Sequence, residues 1–122
     1  MFEKIVPNAV RSSWGFEVSV RQRATQIYVE YREGDRVVRF DNTMYVGRPA
    51  FTFRPKYITR WAPPFDRELL SREKRKQVIE NMAAALDYMG IATDACDEQA
   101  NLIGHFGPQG WVWEDEKWLE TT

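Results

Sequence analysis

The side chains that most often perform catalysis are scarce in this chain, which contains a single histidine, His105, and a single cysteine, Cys96. No serine, cysteine or second histidine stands near His105 at the spacing of a hydrolase or zinc-protease motif. Cys96 lies close to Asp94 and Asp97, whose charges raise a thiol pKa and make the reactive thiolate scarcer. One cysteine and one histidine cannot form a usual structural zinc site. We therefore predict no catalytic residue, no metal and no cofactor, so the chain is not expected to be an enzyme.

The spacing of Gly104, Gly107 and Gly110 superficially resembles a phosphate-binding loop. Such a loop normally continues directly into a lysine, which is missing here. Pro108 also removes one backbone N–H that the loop would use. We interpret the spacing as coincidental and predict an irregular loop over residues 102–110.

Charge is distributed unevenly along the chain, although the net charge is only −1. Residues 1–60 carry eleven basic and six acidic side chains, whereas residues 61–122 carry six basic and twelve acidic ones. The acidic half also holds Trp111, Trp113 and Trp118. Such a segment is either a solvated face with a few anchoring tryptophans or a docking surface for a basic partner. On the second interpretation, the partner-contact residues are Asp94, Asp97, Glu98, Trp111, Trp113, Glu114, Asp115 and Glu116.

The basic half suggests an alternative function, binding of single-stranded nucleic acid. Its cations are Arg21, Arg23, Arg32, Arg36, Arg39, Arg48, Arg54, Lys56 and Arg60. Tyr28 and Tyr45 lie among these cations in the sequence, and their rings could stack on bases. Alternatively, the arginines pair with neighbouring acids, namely Glu17, Glu30, Glu33 and Asp41. The net charge and the acidic C-terminal segment disfavour nucleic acid as a partner, because they would compete with phosphate for the arginines.

The elements that must position these residues are strands in the first half. Residues 15–20 alternate apolar and polar side chains, which indicates a half-buried strand. Residues 26–41 predict a β-hairpin that turns at Gly34-Asp35. This turn sets the register, and the predicted cross-strand pairs are Val29 with Phe40, Tyr31 with Val38, Glu30 with Arg39 and Glu33 with Arg36. Residues 44–46 and 50–53 predict two further short strands of an antiparallel meander.

One long helix is predicted to follow the sheet. Ser71 is a good N-cap, and no helix breaker occurs before Gly90. The apolar stripe consists of Val78, Ile79, Met82, Ala83, Leu86 and Met89. The polar remainder includes Arg72, Lys74, Arg75, Lys76, Glu80 and Asp87. We expect the stripe to cover the sheet.

The predicted fold class is therefore α+β, an antiparallel meandering β-sheet packed on one long α-helix, with an extra acidic, aromatic-rich C-terminal segment. We expect one domain over residues 1–122, with the sheet at about 15–60, the helix at about 71–89 and the C-terminal extension at 91–122. Residues 91–93 are a candidate closing strand, 94–99 are too polar for a core element, and 111–113 are a candidate edge strand.

The composition indicates a folded protein without a membrane segment. Apolar residues make up 43% of the chain and charged residues 29%, close to an ordinary globular domain. No apolar run approaches the roughly 20 residues of a spanning helix, and residues 1–7 lack the features of a secretory signal. A lone cysteine fits a reducing compartment. We predict a cytoplasmic protein.

The string Trp61-Ala62-Pro63-Pro64-Phe65 precedes the helix, which begins Ser71-Arg-Glu-Lys and ends Leu86-Asp-Tyr-Met-Gly-Ile91. Together with the Gly34-Asp35 hairpin, this arrangement resembles a family of small immunity proteins from bacterial polymorphic toxin systems. Those proteins have a Trp-Asp-Pro-Pro-His motif between a strand hairpin and one helix. Here Ala62 replaces the acidic residue and Phe65 the histidine, and the resemblance covers about residues 15–91.

The resemblance implies an α+β fold and a non-enzymatic function. Members of the family bind and neutralise a cognate toxin domain, often a nuclease, that is encoded beside them. The expected partner is thus a toxin C-terminal domain. If that toxin acts on nucleic acid, its cleft should be basic, and the acidic C-terminal segment would complement it.

Overall fold

The chain folds as an α+β protein with two β-sheets and one long helix. The computed structural model describes residues 1–121, with side chains described as far as Leu119. The first sheet has five antiparallel strands in the order β1-β2-β3-β4-β5. These strands are β1 (Phe2–Val6), β2 (Ala9–Ser12), β3 (Glu17–Arg23), β4 (Gln26–Glu33) and β5 (Arg36–Asp41). The predicted α+β class and its antiparallel meander are confirmed.

The predicted central hairpin is confirmed in position and in register. Strands β4 and β5 pair Val29 with Phe40, Tyr31 with Val38, Glu30 with Arg39 and Glu33 with Arg36. The four inward side chains of the first two pairs are buried in the core. Gly34, at the turn, has a φ of 62°, the positive value that glycine adopts without a steric penalty.

The sheet starts earlier than predicted, and one predicted strand is absent. Strands β1 and β2 form a hairpin before residue 15, joined at Pro7-Asn8. The sequence shows no alternation there because β1 is largely exposed. Residues 44–46 were expected as a strand but lie in a loop between β5 and the second sheet, so this prediction is wrong. Met44 is 85% exposed and Val46 is fully exposed, so no neighbouring strand covers them.

The second sheet has four strands in the order β6-β7-β8-β9. They are β6 (Phe51–Phe53), β7 (Thr93–Cys96), β8 (Leu102–Gly107) and β9 (Gly110–Trp113). β6 runs parallel to β7, because the helix connects them as a crossover, and the other pairs are antiparallel. Residues 50–53 therefore do not extend the first meander, which corrects that prediction. Residues 102–110 are not a loop, and residues 94–96 are a buried strand despite their polarity. The edge strand at 111–113 is confirmed.

Helix α1 (Arg72–Tyr88) begins and ends as predicted. The Ser71 side chain accepts a hydrogen bond from the backbone N–H of Lys74, and Gly90 has a positive φ of 80° just after the helix. The stripe residues Val78, Ile79, Met82, Ala83 and Leu86 are buried, and Met89 is partly buried. Arg75 was expected on the polar face, but it is also buried, which corrects that assignment.

The core lies where the helix meets both sheets. Helix α1 contacts β3 of the first sheet and β7, β8 and β9 of the second. One continuous cluster of buried residues includes Tyr31 and Phe40 from the first sheet, Phe53 and Ile103 from the second, and Met82 from the helix. Two short 3-10 helices, Pro55–Tyr57 and Lys117–Thr121, contact each other. Within the described part of the chain, no helix is long and apolar enough to cross a membrane.

Candidate protein-binding surface

The acidic C-terminal segment is folded rather than extended. Strand β7 carries Asp94, and the turn between β7 and β8 carries Asp97 and Glu98. Strand β9 leads directly into Glu114, Asp115 and Glu116, and a 3-10 helix then returns the chain to the core at Trp118 and Leu119. The predicted contact residues thus lie on the second sheet, which packs against α1, and on the turns and segments that follow its strands. Residue 122, part of the predicted extension, lies outside the described residues.

Three of the predicted carboxylates surround one cleft. Asp97, Glu98 and Asp115 line a cavity of about 270 Å³. Cys96, Ile103 and Trp118 form its apolar part, and three cations, Arg54, Lys56 and Lys117, also line it. We name this cleft with its acidic side chains, together with the neighbouring Glu114 and Glu116, the acidic edge.

Each carboxylate of the cleft has a partner within the chain. The Lys56 ammonium lies 2.7 Å from Glu98 Oε1, and the Tyr57 hydroxyl donates to the same oxygen at 2.9 Å. The Lys56 hydrogen bond, followed by that of Tyr57, lowers the pKa of Glu98 below its usual range. Glu98 and Lys56 are both exposed, so their pair contributes little to folding. They remain accessible to a partner.

Asp97 organises the turn that carries Glu98. Its carboxylate accepts hydrogen bonds from the backbone N–H groups of Gln99 and Asn101 and from the Asn101 side chain. Burial pushes the pKa of Asp97 upward, but these donors outweigh it, and the net shift is downward. Asp97 is therefore ionised in its turn at neutral pH.

Of the carboxylates after β9, Glu114 and Glu116 are exposed and Asp115 is half-buried, and each has a partner within the chain. Glu114 Oε1 lies 3.0 Å from His105 Nε2, and Glu116 Oε1 lies 2.7 Å from the Lys76 ammonium on α1. Asp115 accepts a hydrogen bond from the backbone N–H of Lys117 at 2.8 Å. The only histidine of the sequence thus contacts a carboxylate at the surface.

Asp94 does not belong to the acidic edge. It is only 5% exposed, and its Oδ2 lies 3.2 Å from Arg48 Nη1. Arg48 also donates to the carbonyl of Ala100. Asp94 therefore holds the loop between β5 and β6 against the second sheet, and we exclude it from the contact residues considered below.

The two predicted tryptophans are part of an aromatic row. Ring centroids are 6.1 Å apart for Phe53 and Trp111, 5.4 Å for Trp111 and Trp113, and 4.9 Å for Trp113 and Trp118. Trp111 and Trp113 lie over Gly104, where an added Cβ would be 2.7 Å from the Trp111 ring. Both are partly buried, so they support the acidic edge and leave only part of each ring for a partner.

In the arginine-rich first sheet, arginines pair with neighbouring carboxylates, as the alternative to nucleic-acid binding predicts. Arg21 lies 3.0 Å from Glu30, and Arg39 lies 3.0 Å from Asp41. The Arg39 guanidinium also covers the Tyr28 ring at 4.1 Å. One face of the Tyr28 ring is therefore already occupied, which disfavours its use as a platform for a stacked base.

Cys96 is a buried free thiol. Burial, assisted by the Asp94 charge, raises the pKa of Cys96 above its usual value. We expect iodoacetamide at pH 8 to alkylate Cys96 at least about 100-fold more slowly in the folded protein than in denaturant. Mass spectrometry measures the rate, and a Cys96→Ser, Thr25→Cys variant, with its thiol in an exposed turn, is the control. Equal rates for the native thiol and for the thiol introduced at position 25 would contradict the burial.

Sequence analysis did not place the cations Arg54, Lys56 and Lys117, or the neighbouring Tyr57 hydroxyl, beside the carboxylates of the cleft. Lys56 and Tyr57 precede Glu98 by about forty residues, and their pairing depends on how the first 3-10 helix lies beside the β7–β8 turn. No local sequence pattern marks this proximity. The acidic composition of the C-terminal segment predicted only the carboxylates of the cleft.

The described residues contain no cluster of three or more histidine, cysteine, aspartate or glutamate side chains able to hold a metal ion. The molecule is an α+β protein whose most distinctive surface is the acidic edge. No family model, curated protein or solved structure matches the chain.

Proposed function

We propose that this protein is a non-enzymatic binding module of the immunity type, which neutralises a bacterial toxin domain by contact through the acidic edge. The observation that carries the proposal is the exposure of Glu98, Glu114 and Glu116 beside the ends of strands that contact α1 and carry the aromatic row. Carboxylates on a folded backbone can complement a basic surface with a smaller loss of backbone conformational entropy than carboxylates on a disordered segment.

The resemblance of the hairpin, the Trp61–Phe65 string and the helix to immunity proteins supports the same class of function. The structure has the hairpin and helix in the order that the resemblance requires. Trp61 is buried and belongs to the core, so the string supports the fold rather than the contact. The acidic edge follows this shared region and would give the chain its partner specificity.

The direct test is co-expression with the toxin domain encoded by the adjacent reading frame. We expect a complex that survives affinity purification and size-exclusion chromatography, together with rescue of growth. A folded protein that neither binds nor rescues would refute the proposal. Under the nucleic-acid alternative, the same protein would instead shift a labelled single-stranded oligonucleotide in a salt-dependent way.

Charge reversal tests the contact surface. The triple variant Glu114→Lys, Asp115→Lys, Glu116→Lys should slow association with the toxin about tenfold or more at low salt, because it removes electrostatic steering. Stopped-flow or surface plasmon resonance at several salt concentrations measures the rate, and the defect should shrink as salt rises.

A matched control distinguishes the effect of charge on the acidic edge from the effect of the net charge of the protein. The variant Glu3→Lys, Asp35→Lys, Asp41→Lys makes the same change in net charge on exposed positions of the first sheet. It should leave the association rate within about twofold of the original. Equal slowing by both triple variants would show that net charge, and not the acidic edge, governs the encounter.

A further inference from the structure

A second cleft lies at the start of helix α1 and shares Lys56 with the cleft of the acidic edge. Its volume is about 480 Å³. Four of its lining residues are cationic, namely Lys56, Arg60, Arg72 and Arg75, and none is acidic. A concave site with only cations is unusual in a protein whose net charge is −1, since surface arginines normally have acidic neighbours.

Arg75 forms the floor of this cleft. It is 1% exposed, and its Nε donates to the Ile58 carbonyl at 2.6 Å while Nη2 donates to the Pro55 carbonyl at 3.2 Å. Nη1 is buried and finds no hydrogen-bond partner among the described residues. Arg75 also forms no salt bridge within this part of the chain, so its charge lacks a compensating anion there. Burial lowers the pKa of Arg75, but a guanidinium still remains protonated.

Arg60 and Arg72 are exposed at the same cleft. Arg60 Nη1 contacts only the backbone carbonyl of Asp66, at 3.5 Å, and Arg72 is the first residue of α1. Neither forms a salt bridge with a described carboxylate. Lys56, by contrast, is engaged by Glu98. Three arginines therefore line one cavity, and none of them forms a salt bridge with a carboxylate of the described residues.

The helix strengthens the attraction for an anion. The first backbone N–H groups of α1 give its N-terminus a partial positive charge. Ser71 Oγ accepts its hydrogen bond from Lys74, which leaves the hydroxyl proton available for a second acceptor. Thr59 adds another hydroxyl to the lining. The cavity thus offers donors on several sides, and no described carboxylate lines it. The acids nearest to it are Glu98, which is bonded to Lys56 and Tyr57 at its rim, and Glu73 in the first turn of α1.

We propose that this cleft binds the phosphate group of a small phosphorylated ligand. Arg60 and Arg72 would hold phosphate oxygens with their planar forks, and the buried charge of Arg75, which no described carboxylate neutralises, would attract the anion from below. A phosphate group suits the site because it carries up to two negative charges and three acceptor oxygens. Tyr57, 59% exposed at the rim, could lie against a base or sugar attached to the phosphate. The proposal does not depend on the toxin-binding function.

Isothermal titration calorimetry of the whole protein tests the site with inorganic pyrophosphate, adenosine monophosphate and adenosine. We expect saturable binding of pyrophosphate and adenosine monophosphate, one per chain, and none of adenosine. Arg60→Gln and Arg72→Gln should each weaken binding about tenfold or more, because each removes a forked contact. These positions are exposed, so both variants should fold, as circular dichroism will verify.

The control is Arg32→Gln, which removes an exposed arginine from the first sheet. It should change the affinity less than about twofold, because long-range attraction alone is screened by salt. Tighter binding of the nucleotide than of pyrophosphate would indicate a nucleotide as the source of the phosphate, and equal binding would indicate the phosphate group alone. Absence of saturable binding up to about 10 mM, binding of adenosine, or an equal loss in all three variants would overturn the proposal.

Discussion

Replacement of Arg75 by methionine is expected to lower the free energy of unfolding by about 3 kcal/mol. The methionine keeps the apolar stem of the side chain but removes every guanidinium donor. The Ile58 carbonyl then loses its hydrogen bond, and a stranded buried acceptor costs about 1–3 kcal/mol. The Pro55 carbonyl loses the Arg75 donor but keeps the backbone N–H of Ile58. The stacking of the guanidinium on Trp118, 4.9 Å from the ring centroid, is lost as well.

Urea unfolding followed by circular dichroism measures this effect, and the midpoint of thermal unfolding should fall by roughly 10 °C. The matched control is Arg72→Met, the same substitution in the first turn of the same helix at an exposed position, which should cost less than about 0.5 kcal/mol. A third variant, Arg75→Lys, keeps the charge but not the fork, and it should lose most of the same stability. A cost below about 1 kcal/mol for Arg75→Met would contradict the structural role of these hydrogen bonds.

Arg75 also shows where sequence analysis reaches its limit. Helical periodicity located the apolar stripe on Val78, Ile79 and Met82 correctly, because the stripe depends only on spacing within one element. Periodicity also assigned every arginine of the helix to the solvent side. The carbonyls that accept hydrogen bonds from Arg75 belong to Pro55 in the first 3-10 helix and to Ile58 just after it, 20 and 17 residues earlier. No feature of α1 itself predicts them.

The two sheets also differ in how far their strand pairing could be predicted from the sequence. The register of β4 and β5 follows from the Gly34 turn and from alternation, which are local signals, so it was predictable pair by pair. The parallel pairing of Phe51 with Thr93 joins residues separated by the whole helix, and it depends on tertiary packing. Gly104 was interpreted as a loop residue, but it is small because Trp111 and Trp113 lie over it.

Sequence analysis identified the acidic residues of the candidate site but not which of them are exposed. Composition identified the acidic residues, and the structure gathers Asp97, Glu98 and Asp115 around one cleft. Composition could not distinguish Asp94, which has the same charge but points into the fold toward Arg48. Burial of a carboxylate requires a partner, and that partner lies forty-six residues earlier. Long-range pairing thus decides which acids a partner protein can reach.

The Arg48–Asp94 pair gives the second large prediction. Arg48→Met should lower the free energy of unfolding by about 3 kcal/mol, because it leaves the Asp94 carboxylate buried without its cation. The Oδ1 atom of Asp94 already has no hydrogen-bond partner among the described residues, so no neighbour there compensates for the lost arginine. Loss of the Arg48 hydrogen bond to the Ala100 carbonyl should also loosen the β7–β8 turn.

The double variant Arg48→Met, Asp94→Leu distinguishes a charge effect from a loss of packing. Removal of both charges should cost clearly less than the sum of the two single variants, with a coupling of about 2 kcal/mol, because neither charge is then left buried alone. Arg39→Met and Asp41→Leu form a matched cycle on an exposed pair, where the coupling should stay below about 1 kcal/mol. Urea unfolding of all variants at one pH measures both cycles. Additive costs at positions 48 and 94 would show that Arg48 contributes through contacts other than its pairing with Asp94, such as its hydrogen bond to the Ala100 carbonyl.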